Sequence, residues 1–357
     1  MGAVRILITG GAGFIGSEVV RQLVTGGSEV VVLDSLRPDV HAVRVAPLLD
    51  ELGVELVVGD VRDRDSVDRA LRGVGAVAHL AAKVGLGVDL DDVDDYVSSN
   101  DLGTAVLLRQ MRIASVPRLV YASSMVVYGE GAYDCAEHGS VAPAARRVVD
   151  LQEGRFEPGC PRCGTPLTPA LVSEDAPLDP RNVYAATKVH GEHLAAAWAR
   201  ECDGQALALR FHNVFGAGMP RDTPYAGVAA LFRSAVEAGQ PPRVFEDGGQ
   251  RRDFVHVCDV AGAVVTALSS DVPGPGELRA YNIGSGRVTT IGQLAGALSE
   301  SMGGEPPVVT GEYRLGDVRH VTASSRRAQD ELGWRARTDL DAGLAELASV
   351  PLRPQVS

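Results

Sequence analysis

The chain has 357 residues, which is long enough for one large α/β unit or two fused lobes with a sizeable buried core. Its 34 Lys and Arg against 46 Asp and Glu give a net charge of −12, which excludes the basic footprint of a nucleic-acid or anionic-membrane binder. A hydrophobic content of 45% excludes bulk disorder, and no apolar run of about 18 residues predicts a membrane span. Since no signal-peptide pattern opens the chain, we expect a cytoplasmic protein.

The first half of the chain alternates short β-branched runs with helical patterns, which is typical of a parallel sheet wound by crossover helices. The β-branched runs predict strands at 4–9, 29–34, 55–58, 76–80 and 118–123. Between them, apolar residues at three- and four-residue spacing predict helices at 14–25, 63–71 and 96–114.

After Gly129 this alternation stops, and the chain divides by pattern into three parts. Residues 1–129 and 181–215 predict an α/β domain built on a doubly wound parallel sheet, with sheet-completing segments near 253–268. Residues 130–180 are rich in Pro, Gly, Arg and Cys, have no sustained period, and predict an insertion. Residues 216–350 mix helix, loop and isolated strand, and they predict a smaller C-terminal α/β lobe that binds substrate.

A glycine-rich turn follows the first predicted strand and opens the first predicted helix. Its glycines permit a tight turn and let a pyrophosphate approach the backbone, while the helix N-terminus offers amides to an anion. Asp34 ends the second strand, 18 residues after the turn, where a carboxylate accepts from adenosine ribose hydroxyls. This context predicts a Rossmann domain that binds NAD, although the nearby Arg37 leaves NADP open. The predicted contacts of the turn are Gly10, Gly13, Phe14, Ile15 and Gly16.

Other strand ends border the expected cofactor. Asp60 and Val61 follow the third strand, where the carboxylate is either an ordinary strand-end cap or a neighbour of the adenine. Asn100, in the helix before the fifth strand, is either a cap or a cofactor contact. Small residues after the fourth strand leave room for the bridge of the dinucleotide, and they predict contacts from Leu80, Ala81 and Ala82.

Tyr184 and Lys188 lie four residues apart, so they are predicted to share one face of a helix. A fixed ammonium favours the phenolate, and we expect Lys188 to lower the pKa of Tyr184 from about 10 toward neutrality, as a general base for an alcohol requires. Alone, such a pair is usually a surface pair. Ser124 ends the fifth strand, where ligands collect in doubly wound folds, and its hydroxyl can reach the same substrate oxygen.

Together these segments resemble the extended short-chain dehydrogenase/reductase family of nucleotide-sugar epimerases and dehydratases. The resemblance covers almost the whole chain apart from 130–180, and it includes the Ser-Ser-Met-Val-Val-Tyr-Gly stretch at 123–129 and Arg-Phe-His-Asn-Val-Phe-Gly at 210–216. It implies tightly held NAD that stores a hydride. It also implies that Tyr184 takes a proton from a sugar hydroxyl, Ser124 polarises that oxygen, and Lys188 tunes Tyr184 and binds the nicotinamide ribose.

Met125 and Val126 narrow the expected reaction. Dehydrating members of the family resemble one another in an Asp-Glu pair after the catalytic Ser or Thr, and decarboxylating or 3,5-epimerising members place a Glu or Cys where Val126 stands. Neither side chain here can move a proton. We therefore expect a nucleotide-sugar 4-epimerase. The alternatives are a 4-ketoreductase that consumes exchangeable NAD(P)H, a UDP-hexose or uronate 4-epimerase, and a non-catalytic sensor that kept the fold.

The resemblance also implies the contacts to a nucleotide-sugar substrate. A substrate pyrophosphate requires dedicated cations in an acidic chain, and guanidinium forks suit phosphate oxygens. Arg252 and Arg314 match the two arginines that the family uses on the diphosphate, and Asn213 matches its amide. His256 and Asp259 are expected to tie the smaller lobe together. The predicted substrate-binding residues are Lys83, Ser124, Met125, Asn213, Arg252 and Arg314.

The insertion carries a set of metal-binding side chains, which are Cys135, His138, Cys160 and Cys163. The order is Cys-x-x-His, a 21-residue gap and a Cys-Pro-Arg-Cys-Gly knuckle that turns two thiolates toward one point. Because the set is closed, it predicts a structural zinc ribbon; reduced thiols without metal are the alternative. Glu137 and Glu153 are weaker rivals to His138. Cys202 and Cys258 are expected to be ordinary buried thiols.

The zinc-ribbon-like insertion, with the stretch 218–227, is similar to a bacterial branch of the family associated with thymidine-diphospho-6-deoxyhexose 4-epimerases. That similarity favours a dTDP-6-deoxyhexose as substrate. Since the insertion lies between Ser124 and Tyr184, we expect it to roof the sugar pocket. By analogy with the family, we expect a homodimer formed through the helices near 100–115 and 184–200.

Overall fold

The structure, a computed structural model, describes residues 4–38, 47–85, 90–221 and 227–353. Of the stretch 218–227 that was singled out from the sequence, 222–226 lie outside the described residues. The first part of the chain alternates strands and helices in the order β1 (Arg5–Thr9), α1 (Phe14–Thr25), β2 (Val30–Asp34), α2 (Pro47–Glu51), β3 (Glu55–Val58), α3 (Arg64–Ala70), β4 (Val74–His79), α4 (Val93–Tyr96), α5 (Gly103–Ile113) and β5 (Arg118–Ser124).

These bounds agree with the predicted elements to within two residues, except at 96–114. The predicted helix there is confirmed, but it is not α-helical throughout, because a π-helical turn (Val97–Leu102) separates α4 from α5. Such turns often mark functional sites. This one carries Asn100, whose Oδ1 accepts from the Lys83 amide at 2.8 Å and whose Nδ2 donates to the Lys83 carbonyl at 3.0 Å. The turn therefore fixes the loop that follows β4.

The second half contains the insertion and the smaller lobe. The insertion follows a 3₁₀ turn (Met125–Tyr128) and consists of β6 (Ala132–Cys135), β7 (Gly139–Val141), α6 (Val148–Gln152) and β8 (Thr168–Ala170). The chain then continues through α7 (Val183–Cys202), β9 (Gln205–Phe211), β10 (Asn213–Phe215), α8 (Val228–Glu237), β11 (Arg243–Val244), β12 (Arg251–His256), α9 (Val257–Ser269), β13 (Glu277–Ile283), β14 (Val288–Thr290), α10 (Ile291–Ser301), β15 (Val308–Val309), β16 (His320–Val321), α11 (Arg326–Leu332) and α12 (Leu340–Ser349).

The centre of the fold is a sheet of seven parallel strands in the order β13-β9-β5-β4-β1-β2-β3. One face of the sheet packs on α1 and α9, with Val20 and Val264 in the shared core, and the other packs on α3, α5 and α7, with Leu107 and Trp198. The buried strands read as apolar runs because both faces are covered. This architecture confirms the predicted doubly wound α/β fold.

The segment 253–268 does not add a strand to this sheet, which corrects the expectation from the sequence. Its strand, β12, pairs with β10, β14 and β16 in a separate small sheet, and its helix, α9, covers one face of the large sheet. The seventh strand is instead β13, which pairs with β9 over Glu277–Ile283. Among the described helices, none combines the length and apolar character needed to cross a bilayer.

The insertion is joined to the smaller lobe by a buried charge network around Arg319, which is 1% exposed. Arg319 donates through Nη1 to Glu246 at 2.7 Å and through Nε to Glu157 at 2.8 Å, and its amide donates to Glu130 at 2.9 Å. Arg146 of the insertion shares Glu246, at 2.8 Å. Two guanidinium groups and three carboxylates thus link the insertion to the lobe.

The other end of the insertion is held by the large sheet. Glu174 accepts from the amide of Asn282 on β13 at 2.9 Å, and its carbonyl accepts from Nη1 of Arg210 on β9 at 2.9 Å. Asn282 also donates through Nδ2 to the carbonyl of Val172 at 3.0 Å. The insertion is therefore attached to both the large sheet and the smaller lobe.

A buried ion pair ties α7 to the sheet. Arg210 on β9 donates to Glu192 on α7 through Nε at 2.9 Å and through Nη2 at 2.7 Å. Glu192 also accepts from the hydroxyl of Ser123 at 2.5 Å. The two charged residues are 5% and 6% exposed. This pair holds the first half of α7 over the end of β5.

We expect Glu192→Gln to lower the free energy of unfolding by about 3 kcal/mol, because it leaves a buried guanidinium without its counter-ion. Chemical denaturation followed by circular dichroism measures the change. The control is Glu312→Gln, which removes the exposed partner of Arg243 and should change stability by less than about 1 kcal/mol. Equal losses in the two variants would contradict the role assigned to the buried pair.

Candidate active site

A large cavity lies along the carboxyl ends of the parallel strands, between the sheet and the smaller lobe, and has a volume of about 1880 Å³. A cavity for one drug-sized ligand measures roughly 300–1,000 Å³. The space is therefore sufficient for two ligands side by side. Its position at the carboxyl edge of a doubly wound sheet is where such folds bind ligands.

The glycine turn between β1 and α1 forms one end of the cavity. Gly10 has a φ of +72°, and a Cβ there would lie 2.8 Å from the amide nitrogen of Ala81. A Cβ on Gly16 would lie 2.1 Å from the carbonyl oxygen of Gly10. Only glycine fits at these two positions, so the turn brings the first amides of α1 to the cavity. An anion such as a pyrophosphate fits this arrangement.

Asp34 braces the same turn from the end of β2. Its Oδ2 accepts from the amide of Ala12 at 3.0 Å and its Oδ1 from the amide of Leu36 at 2.9 Å. Arg37, which left the choice of NADP open, pairs with Asp95 at 3.2 Å. The predicted cofactor residues that line the cavity are Gly10, Gly13, Phe14, Ile15, Gly16, Asp34, Asp60, Val61, Leu80, Ala81 and Ala82.

Two of the predicted contacts have other partners. Asp60 accepts from the guanidinium of Arg62 at 2.7 Å, and although burial opposes it, hydrogen bonds from Arg62 hold the pKa of Asp60 below its usual value. Asn100 does not lie among the described residues that line the cavity. Its amide is buried and bonded to the Lys83 backbone and to Thr187 Oγ1 at 3.0 Å, so it positions the cavity wall instead of forming it.

Ser124, Tyr184 and Lys188 meet at the centre of the cavity. Ser124 ends β5, and its hydroxyl lies close enough to the phenol of Tyr184 to oppose the rise in the pKa of that phenol. Asn182 caps α7 by accepting from the amide of Ala185 at 2.8 Å, which fixes the first turn that carries Tyr184. Lys188 lies one turn on, with Nζ 5.7 Å from the centre of the Tyr184 ring. Both Ser123 and Ser124 line the cavity, but the Ser123 hydroxyl donates to Glu192. Ser124 is therefore the serine whose hydroxyl can contact a ligand.

Burial is the main cause of the pKa shifts of Tyr184 and Lys188. Burial raises the pKa of Tyr184 above its usual value, and the Ser124 hydroxyl opposes this only in part. Burial also lowers the pKa of Lys188 to about 8. The expectation that Lys188 lowers the pKa of Tyr184 toward neutrality is wrong for this structure, because burial raises that pKa, and Lys188 Nζ donates to the carbonyl of Ala122 at 2.8 Å.

The two lysines of the chain both lie at the cavity. Lys83 and Lys188 are the only lysines among the chain's 34 basic residues, and both line the cavity. Lys83 Nζ pairs with Asp92 at 3.1 Å and with Asp95 at 2.8 Å. The rarity of lysine in an arginine-rich chain is a second sequence signal for these two predicted positions.

Arginines and an amide lie toward the smaller lobe. Arg252 lines the cavity and donates to the carbonyls of Val318 at 2.7 Å and Arg319 at 3.0 Å. Arg314 also lines it, 5.1 Å above the ring of Phe245. All the predicted substrate residues are in the cavity wall: Lys83, Ser124, Met125, Asn213, Arg252 and Arg314.

Some polar atoms of residues in the cavity wall are buried without a hydrogen-bond partner among the described residues. Asn213 Oδ1 and both ring nitrogens of His212 are buried and have no hydrogen-bond partner among the described residues. Burial lowers the pKa of His212 to about 3, so its ring is neutral. Buried polar atoms without partners are uncommon, and beside a cavity they are available to hydrogen-bond a ligand or water. His212 was not singled out from the sequence.

The insertion does not roof the sugar pocket, which corrects the expectation from the sequence. The cavity wall includes Gly129 and Arg181, the residues on either side of the insertion, but no residue from 130–180. The insertion instead packs behind the 314–321 segment, where Val127, Tyr128, Val172 and Val321 form a small core. Its role is therefore to support the wall that carries Arg314.

A seven-stranded parallel sheet with a glycine turn at one end of the cavity and a Ser-Tyr-Lys group at its centre defines a short-chain dehydrogenase/reductase. Within this class, the chain belongs to the NAD dependent epimerase/dehydratase family, whose model matches residues 6–145 and 163–284. This confirms the family predicted from the sequence. The unmatched residues 146–162 lie in the insertion.

Curated and solved relatives cover nearly the whole chain. A dTDP-L-rhamnose 4-epimerase of Burkholderia thailandensis is 34% identical and covers 96% of this chain and 93% of its own. A dTDP-glucose 4,6-dehydratase of Streptomyces niveus is 30% identical over 96% of this chain and 91% of its own. A UDP-glucose 4-epimerase of Thermus thermophilus in complex with NAD has a TM-score of 0.76, 30% identity, and coverage of 97% and 98%.

The low pKa of Lys188 predicts that stability rises with pH. The unfolded chain keeps this proton up to about pH 10.5 and the folded chain releases it near pH 8, so the unfolded state binds more protons between these values. Relative to Lys188→Met, we expect the free energy of unfolding of the nucleotide-stripped protein to gain about 2 kcal/mol from pH 7.5 to 10. Urea denaturation at both pH values measures this, and a constant difference would contradict it.

Proposed function

We propose that the protein is an NAD-dependent nucleotide-sugar 4-epimerase that oxidises and re-reduces carbon 4 of a nucleoside-diphosphate hexose. The observation that carries the proposal is the pairing of Ser124 and Tyr184 in a cavity where Met125 and Val126 follow the serine. Two hydroxyls serve one substrate oxygen, and the adjacent positions carry no acid or base for elimination at carbon 5. The named 4-epimerases among the relatives support the same reaction.

The cofactor end of the cavity fits NAD. The amides of α1, the glycines that leave no room for a Cβ, and the carboxylate of Asp34 would hold the pyrophosphate and the adenosine ribose. The pairing of Arg37 with Asp95 supports NAD over NADP, since that guanidinium already has a carboxylate partner. Bound NAD would supply the hydride acceptor, and then the hydride donor, for carbon 4.

The chain's own residues move the proton. Tyr184 takes the proton from the hydroxyl on carbon 4 at its Oη and returns it after the hydride comes back. Because burial raises the pKa of Tyr184, this role requires positive charge near its ring, from Lys188 and from the nicotinamide of NAD when bound, to favour the phenolate. Ser124 donates to the same oxygens and stabilises the phenolate. Lys188 contributes positive charge close to the ring. Arg252, Arg314 and Asn213 would bind the diphosphate, so that the flat ketone can turn over while the nucleotide stays fixed.

A 4-ketoreductase is the alternative, because it uses the same Ser-Tyr-Lys group. The two are separated by incubating the protein with nucleotide sugars, without added cofactor, and following sugar configuration by NMR. An epimerase converts substrate to an equilibrium mixture, whereas a reductase produces nothing unless NAD(P)H is supplied. We propose a dTDP-6-deoxyhexose as substrate over a UDP-hexose or uronate, supported by the name of the Burkholderia relative, and a panel containing all three tests the choice.

We expect Tyr184→Phe to reduce turnover by at least about 10²-fold, the lower end of what a positioned general base contributes. Bound NAD should remain, because the phenyl ring of the variant still fills the place of the phenol. Measurement of turnover and of NAD released by acid from the same sample distinguishes the two effects. The matched control is Tyr313→Phe, which lies outside the cavity wall. An unchanged rate in Tyr184→Phe would overturn the assigned base.

We also propose that Cys135, His138, Cys160 and Cys163 bind a structural Zn²⁺. Their ligand atoms all lie within 4.8 Å of one another. Cys135 Sγ is 3.7 Å from Cys163 Sγ and 3.5 Å from His138 Nδ1. A tetrahedron with zinc–sulfur bonds of about 2.3 Å has sulfur–sulfur edges of about 3.8 Å, so this spacing fits the ion. The rival Glu153 pairs instead with Arg155.

The zinc proposal predicts about one zinc per chain by metal analysis of the purified protein. Cys160→Ser removes a buried ligand and should lose the metal and lower the melting temperature. The control Cys202→Ser changes a thiol outside the cluster and should keep the full zinc content. Unmodified protein without zinc, after expression in zinc-supplemented medium, would contradict the proposal.

We propose that the protein forms a homodimer through α5 and α7. Exposed apolar side chains at Ile113 on α5, and at Val97 and Leu102 in the π-helical turn before it, support this surface. The cytoplasmic location also stays a prediction.

A further inference from the structure

Arg353, in the last described residues of the chain, contacts the glycine turn at the other end of the sequence. Its Nη1 donates to the carbonyl of Ala12 at 2.8 Å, and its Nη2 donates to the carbonyl of Gly13 at 3.3 Å and to Ser17 Oγ at 2.7 Å. The side chain also lines the cavity. A guanidinium from the C-terminal segment therefore borders the site for the cofactor.

The backbone of Arg353 is also fixed by hydrogen bonds. Its amide donates to the carbonyl of Met219 at 2.9 Å, and its carbonyl accepts from the amide of Arg221 at 3.2 Å. The preceding Leu352 is 4% exposed and belongs to the core of the smaller lobe together with Met219. The guanidinium is therefore presented to the glycine turn by a fixed part of the smaller lobe.

These contacts determine the direction of the amides in the turn. A peptide group is planar and trans, so its carbonyl and its N–H point in opposite directions. By binding the carbonyls of Ala12 and Gly13, Arg353 fixes the amides of Gly13 and Phe14. The Gly13 amide donates to the carbonyl of Gly10 at 3.1 Å. The Phe14 amide lies in the first turn of α1, where N–H groups have no helical partner and bind anions.

We propose that Arg353 is a positioning residue for the cofactor: it locks the glycine turn with the α1 amides directed at the pyrophosphate and adds positive charge beside it. A turn with three glycines has backbone freedom to reorient, and a chain with net charge −12 has to concentrate positive charge locally to hold an anion. Cofactor retention then depends on the C-terminal segment. The inference rests on the NAD site of the proposed function.

The test compares Arg353→Met and Arg353→Lys with the control Arg335→Met, an exposed arginine in the same part of the chain. Arg353→Met removes the charge and the donors, whereas Arg353→Lys keeps the charge without the fork. NAD per chain is measured after acid release, and NAD affinity by calorimetry on stripped protein. We expect Arg353→Met to bind NAD about tenfold more weakly or worse, Arg353→Lys to be intermediate, and Arg335→Met to match the unmodified protein.

A second ligand separates positioning of the turn from general stability. Adenosine lacks the pyrophosphate, so Arg353→Met should bind it, in an NMR titration, as well as the unmodified protein does. Equal NAD affinity in both proteins, or equal weakening of adenosine and NAD, would overturn the inference. If Arg353→Met does not fold, Arg353→Lys must show the selective loss for NAD. Unmodified protein that neither carries nor binds NAD would instead defeat the proposed function itself.

Discussion

The site depends on one constraint, the parallel alignment of β1, β4, β5 and β9. Because parallel strands end at one edge of a sheet, β1 delivers the glycine turn, β4 the small residues of the cofactor wall and β5 Ser124 to a single cleft. The pairing of Ser124 with Phe211 places His212 and Asn213 at the same level. The buried Arg210 and Glu192 then hold α7 so that its first turn closes over this edge. The order and direction of the strands therefore bring the site residues together at one edge of the sheet.

What could be predicted from the sequence was encoded locally. The glycine turn and the period of α1 are contiguous signals, and they gave the bounds of that helix to the residue. The Tyr184/Lys188 pair needs only helical spacing. Likewise, Arg252 and Arg314 lie in matching motifs, and both reach the cavity wall. Each of these residues could be identified from the sequence because the residues that determine its role lie in its own segment.

The rest required tertiary contacts. The pKa of Tyr184 depends on how completely the assembled fold removes water from the phenol, which no spacing reveals. The strand that completes the large sheet is β13, which follows a Pro/Gly break in the sequence. The earlier strand β12 pairs instead with β10 in a second, smaller sheet. Asn100 belongs to a π-helical turn whose helical pattern looks continuous in sequence. Arg353 meets its turn 340 residues away, so nothing in its own segment marks it.

The insertion acts as a strut. It rests on the sheet through Glu174, and on the smaller lobe through Arg319, where Glu246 and Glu157 neutralise a guanidinium shielded from water. Separating the insertion from the smaller lobe would break the charge-assisted hydrogen bonds of Arg319 with Glu157 and of Arg146 with Glu246. The insertion therefore helps to fix the position of the two lobes relative to each other, and with it the width of the cleft between them.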